Sequence, residues 1–150
     1  MKKTFFLSFV PPSKANRVKI NSRAISKSGK RYIVPKDVAL KINRAIWELN
    51  SQHGSNTPLF KVPVKVNITF ILPNKRRRDL DNIMKTLGDC LVYANIIEDD
   101  NLIYIQELRK QIIKGEEGAI ITIQTLKEKD FVNKKDLEKL KKFKEKFYGV

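Results

Sequence analysis

Apolar and polar positions alternate cleanly from Val62 to Ile71: Val64, Val66, Ile68 and Phe70 fall on one side, Lys65, Asn67 and Thr69 on the other. A period of two predicts a half-buried strand. Pro63 near its beginning, which cannot donate to a ladder, points to a sheet edge or to the start of a strand. Thr4 to Val10 reads as a first short strand, and Leu102 to Ile113 and Ala119 to Leu126 as two more. Between the last two, Lys114–Gly118 has the composition of a hairpin turn. Helical spacing marks three other stretches. From Lys36 to Asn50, Val38, Leu40, Ile42, Ala45, Ile46 and Leu49 suit one helix, with Pro35 where a helix begins. Leu80 to Ala94 carries Ile83, Met84, Leu87 and Leu91 in one stripe, and Asp136 to Phe147 carries Leu137, Leu140, Phe143 and Phe147. The stretches 11–31, 51–58 and 73–78 read as loops. The order β, α, β, α, β, β, α predicts an α/β chain of the α+β kind: one domain with a mixed sheet of about four strands and two or three helices. Strand order does not follow from the pattern.

A length of 150 residues suits one core of this size. No run of eighteen apolar residues is present, so no membrane span is expected. The apolar start ends at Pro11-Pro12 without a small-residue cleavage site, which favours a first strand over a signal peptide and predicts a cytoplasmic protein. Cys90 is the only cysteine and His53 the only histidine. An intramolecular disulfide, a cysteine-built zinc site and a zinc hydrolase are therefore not expected. Any metal must be held by oxygen, which points to a hard cation, Mg²⁺ or else Mn²⁺.

Charge changes the picture most, through its distribution. Residues 1–78 hold 18 basic and 2 acidic side chains, residues 79–126 hold 4 and 9, and residues 127–150 hold 9 and 5, giving local nets of +16, −5 and +4 that sum to +15. A polyanion partner explains the basic parts, since phosphate neutralisation releases counterions. Lys14, Arg17, Arg23, Lys27, Lys30, Arg31, Arg76, Arg77 and Arg78 are the expected DNA-backbone contacts. A merely solubilising charge is the alternative.

The acidic middle needs a different account. Arg76-Arg77-Arg78 runs directly into Asp79-Leu80-Asp81, and Glu98-Asp99-Asp100 forms a second acidic knot before a strand. From Asp81, Lys85 is four residues on and Asp89 eight, so the three line one helix face. Structural readings exist for each: Asp79 as a helix N-cap, Asp81 in a favourable first turn, Asp81 with Lys85 as an i,i+4 pair, and Asp99-Asp100-Asn101 as a turn. They leave the charge inversion unused. If the two knots meet, each close carboxylate pair costs roughly 1 kcal/mol in water and about 4 at an effective dielectric near 20. A bound Mg²⁺ relieves that repulsion and can activate water and clamp a phosphate, and Lys85 then stands to neutralise charge developing on it.

At these residues the sequence resembles the RusA family of Holliday junction resolvases. The resemblance rests on Arg78-Asp79-Leu80-Asp81-Asn82-Ile83-Met84-Lys85, then Asp89, then Glu98-Asp99-Asp100, supported by Pro11-Pro-Ser-Lys-Ala-Asn-Arg17 and Gly29-Lys30-Arg31-Tyr32. It extends from about Thr4 to Leu126. The resemblance implies a homodimer that binds four-way DNA junctions and cuts two opposed strands with Mg²⁺. Carried over by position, it implies metal ligands at Asp79, Asp81 and Asp100 with Asp99 a participant, a catalytic Lys85, and a supporting Asp89. Two departures stand out: Cys90-Leu91 where the family usually has Ala-Leu, and Ala94-Asn-Ile-Ile97 where it usually has a glycine before the acidic pair. The expected division is a nuclease domain over 1–126 and a lysine-rich helical extension over 127–150 that docks on the body or on a partner subunit. A non-catalytic DNA- or RNA-binding protein, and more remotely a ribosome-associated basic protein, are the competing readings. Neither gives the aspartates work to do.

Overall fold

In a computed structural model the described residues are 1–13, 19–20, 32–33 and 36–149. Along them run β1 (Lys2–Leu7), β2 (Lys19–Ile20), β3 (Tyr32–Ile33), α1 (Lys36–His53), β4 (Val64–Leu72), α2 (Leu80–Tyr93), β5 (Ile103–Ile112), β6 (Gly118–Thr125) and α3 (Lys134–Tyr148). Single 3₁₀ turns lie at Asp100–Leu102 and Glu128–Asp130. β2 and β3 form only a two-residue antiparallel ribbon. The architecture is α+β: a mixed four-stranded sheet with three helices among the described residues.

The sheet order is β1-β6-β4-β5. β4 is parallel to β5 and antiparallel to β6, and β1 is antiparallel to β6. This corrects the hairpin expected at Lys114–Gly118, because β5 and β6 have β4 between them. Strands two places apart are roughly 9.6 Å distant, and five residues reach about 16 Å. The connection therefore arches over the end of β4, where Ile113 N–H donates to Leu72 O at 3.0 Å. β4 takes the centre because Val64, Val66, Ile68, Phe70 and Leu72 are all 0–1% exposed and its backbone is laddered on both sides. Pro63 accordingly precedes a central strand rather than marking an edge.

α1 and α2 cover the inner sheet face. Val38, Ala45 and Leu49 of α1 are buried, as are Ile83, Met84, Leu87 and Leu91 of α2, and most of them join the β4 and β6 core residues in one cluster. Leu40, placed on the core stripe by the sequence pattern, is 68% exposed. At 100° per residue it lies about 200° round the helix from Val38, off the stripe that Ala45 and Leu49 continue.

α1 also closes an edge. Gln52 Oε1 accepts from Phe6 N–H at 2.8 Å and its Nε2 donates to Phe6 O at 2.6 Å, so a side-chain amide imitates a neighbouring strand. One turn earlier, Glu48 accepts from the Ser8 N–H and hydroxyl. α3 buries no side chain. No helix among the described residues is long and apolar enough to cross a membrane.

Candidate active site

The two acidic knots are set by the two ends of α2. At its start Asp79 is the N-cap: Oδ1 accepts from Asp81 N–H at 3.1 Å and Asn82 N–H at 3.3 Å, while Oδ2 accepts from Asn82 Nδ2 at 2.9 Å. The cap starts the helix directly after the arginine run, and the helix then carries Asp81, Lys85 and Gly88 at i, i+4 and i+7 on one face. At its end the chain turns through Asn95 at φ 62°, a left-handed conformation that glycine accepts most easily and asparagine tolerates. Asn95 thus supplies backbone freedom near the place where the resembling family has its glycine. The turn is pinned by Leu59 N–H to Asn95 O (3.1 Å), Phe60 N–H to Ile96 O (2.9 Å) and Glu98 N–H to Phe60 O (2.9 Å), with Ile96 and Ile97 fully buried. The backbone therefore leaves Asp99 and Asp100 at the start of β5, beside α2.

The result is an open hollow of about 460 Å³ whose lining includes Asp81, Lys85 and Asp100 with Met84, Gly88 and Gln106. Two carboxylates and one ammonium, nineteen residues apart at the extremes, share one solvent-filled space. Nothing lies within 4 Å of a Cβ built at Gly88, so the glycine leaves room beside Asp81 and Lys85 without being required by packing. Asp99 turns to cap the 3₁₀ turn, accepting from Asn101 N–H at 3.0 Å. That hydrogen bond, with a second from the Asp100 carboxyl, holds Asp99 below the usual carboxylate range. Asp100, though exposed, is pushed up by its hydrogen bond to Asp99, by slight desolvation, and by the Asp99 and Asp89 charges. Asp89 is thereby an electrostatic neighbour of Asp100, and the crowding shown is within the second knot and between it and Asp89.

Asp79 lines a second hollow of about 300 Å³, together with Arg76, Arg77, Arg78, Lys41 and the Pro11–Ser13 segment. Ser13 Oγ and Arg78 NH1 are buried there without a hydrogen-bond partner among the described residues. Two such orphans beside a basic run suit an anion such as a backbone phosphate. Lys14, Arg17, Arg23, Lys27, Lys30 and Arg31 lie outside the described residues.

Among the described residues no three acidic side chains form a ready cage for a cation. The donor set nonetheless fits Mg²⁺, which keeps several waters and takes one or two carboxylates plus substrate phosphate oxygens. Asp81 and Asp100, which line one hollow, are the two carboxylates there that could hold it. Asp79 already accepts three hydrogen bonds, leaving about one of its four lone-pair sites. Gly88 and Gln106 were not singled out by the sequence. Gly88 could have been found from its spacing to Asp81 and Lys85, whereas Gln106 arrives only through the register that pairs it with Val66.

The sequence can also be compared with those of known proteins. The profile of the family described as endodeoxyribonuclease RusA matches residues 10–124. A crossover junction endodeoxyribonuclease RusA of Aquifex aeolicus is 40% identical over 119 residues, 79% of this chain and 88% of the relative. Proteins of the same name match over shorter stretches: 45% over 40 residues in Enterobacteria phage HK97, covering 27% of this chain and 33% of the relative, and 34% over 55 in Escherichia coli K12, covering 36% and 46%. With both acidic knots and Lys85 inside the matched span, the chain belongs to the RusA family of endodeoxyribonucleases.

Proposed function

We propose that this chain resolves four-way DNA junctions by paired strand cuts, as a Mg²⁺-dependent endodeoxyribonuclease, with Mn²⁺ as the substitute ion. The observation that carries the reading is the shared hollow of Asp81, Lys85 and Asp100, built from opposite ends of α2. Asp81 and Asp100 are the principal metal ligands, with Asp79 and Asp99 completing the acidic set and Asp89 supporting it. When bound, the ion supplies a Lewis acid for the phosphate and a more acidic water. Lys85, on the same wall as Asp81, stabilises negative charge growing on the phosphate in the transition state. The Arg76–Arg78 run and the N-terminal basic residues grip the flanking backbone. Two opposed cuts need two sites related by a two-fold axis, so the working unit is a homodimer. The nuclease unit is residues 1–126, in the cytoplasm.

The test is a labelled four-way junction incubated with and without Mg²⁺, comparing the native chain with Asp81→Asn, Asp100→Asn and Lys85→Ala. Each variant should bind the junction as well or better, because it removes repulsion of phosphate or a charge used chiefly in the transition state. Each should cut it about a hundredfold more slowly or worse. Near-native cutting by both Asn variants would leave the acids as turns and reduce the protein to a binder.

A further inference from the structure

We propose that α3 is a second DNA-backbone contact, in which Lys135, Lys139, Lys142 and Lys146 form a stripe that engages the phosphates of a duplex arm; this rests on the DNA-cutting reading above. The four lysines stand at i, i+4, i+7 and i+11, within about 60° of one another around the axis at 100° per residue. Other charges lie elsewhere on the helix. Glu138 and Glu145 border the stripe, about 40° and 60° round from Lys142, and each also stands four residues after an off-stripe lysine, Lys134 or Lys141. Among the described residues the ion pairs are Arg44–Glu48, Lys65–Glu107 and Arg109–Glu107, so no carboxylate within 4.0 Å neutralises the stripe. Lys146 also lies over the Phe147 ring at 5.6 Å.

Like charges at i,i+4 destabilise a helix. The pairs Lys135/Lys139 and Lys142/Lys146 therefore carry a repulsion that a polyanion relieves, and the fold does not use these side chains, since α3 buries none. The helix is nevertheless well bounded. Asn133 Oδ1 accepts from Asp136 N–H at 2.8 Å at one end, and Gly149 takes a left-handed φ of 66° at the other. Lys135 to Lys146 spans about 16 Å at 1.5 Å per residue. One strand of duplex presents roughly five phosphates over that length, one per 3.4 Å. α3 also lies beyond residue 124, where the family match ends, so the contact is an addition to the shared nuclease unit.

The experiment measures the affinity of the full chain, without divalent ions, for a four-way junction and for plain duplex at several salt concentrations. The quadruple variant Lys135→Gln, Lys139→Gln, Lys142→Gln, Lys146→Gln keeps helix propensity. A triple control, Lys134→Gln, Lys141→Gln, Lys144→Gln, removes charge off the stripe. Each phosphate contact contributes about 0.9 to the log–log slope. The quadruple variant should lose up to about 3.6 of slope, so its disadvantage should shrink by as much as about 150-fold between 50 and 200 mM salt. A slope within about 0.9 of the native chain, less than one contact, overturns the proposal. So does an equal loss per lysine in the triple control, which would make net charge the cause. So would an unchanged DNA slope with lost binding to phosphatidylglycerol vesicles, which would make α3 a membrane-surface helix. Failure of the native chain to cut junctions with Mg²⁺ would refute the nuclease reading instead, while the slope comparison on duplex would still stand or fall by itself.

Discussion

Asp79 is the residue at which structural and catalytic roles coincide, and Asp79→Asn separates them. Asparagine caps a helix about as well as aspartate, so acceptance from Asp81 N–H and Asn82 N–H is retained through the remaining carbonyl oxygen. Two contributions are lost. The negative charge at the helix N-terminus is worth about 0.3–1 kcal/mol. The 2.9 Å bond from Asn82 Nδ2 now meets an NH₂ instead of an oxygen, at about 0.5–1.5 kcal/mol. The sum is about 1–2.5 kcal/mol, or roughly 2–10 °C in melting temperature for a chain of this length. Asp79→Ala removes the capping bonds as well and should cost about 1 kcal/mol more. Melting by circular dichroism without divalent ions gives the stability, and junction cleavage at 25 °C, where both variants remain folded, gives the activity. If Asp79 completes the metal site, Asp79→Asn cuts about a hundredfold more slowly despite its modest stability loss, and Asp79→Ala is no slower. If it is only a cap, cutting follows the folded fraction and Asp79→Asn is near native. A stability loss above about 3 kcal/mol for the asparagine would refute the capping arithmetic itself.

Two further expectations concern the scaffold. Burial raises the Glu48 pKa, but hydrogen bonds from the Ser8 N–H and hydroxyl and from Arg44 outweigh it and hold the carboxyl below its ordinary 4.5. A depressed carboxylate stabilises the fold above the unfolded value and loses that contribution as pH falls through the folded one. Glu48→Gln should therefore be less stable by about 1–3 kcal/mol at pH 7 in denaturant titrations, with the gap closing below pH 4.5; a gap constant down to pH 3 would contradict the linkage. Gly88→Ala should raise the melting temperature by about 1–4 °C, since helix propensity improves by roughly 0.5–1 kcal/mol and nothing lies within 4 Å of the added Cβ. A lowered melting temperature would mean the notch is closed in solution.

Much of this protein is determined by patterns short enough to lie within one element. Alternation over Val64–Phe70 gives β4 its inner face, and the Ile83-Met84-Leu87-Leu91 stripe gives α2 its buried side, because both periods are local geometry. Asp79 is recognisable as a cap for the same reason. The candidate chemistry was suggested by the sequence too, since acids beside an arginine run repel the phosphate that the arginines attract, and the longer motif resembles one family. Tertiary structure alone decided what depends on distant partners. Insertion of β4 between β5 and β6 turned an apparent hairpin into an arch, because a five-residue connection can either join neighbours or skip one strand, and only backbone pairing to the most buried strand selects between them. Leu40 lost its core place to the line of Val38, Ala45 and Leu49, which is defined by where the sheet lies rather than by apolarity. The meeting of Asp81 and Lys85 with Asp100, and the separation of Asp79 into the neighbouring arginine-lined hollow, depend on the Asn95 turn and its bonds to Phe60. Those bonds join segments some thirty-five residues apart, so no local pattern could have carried them.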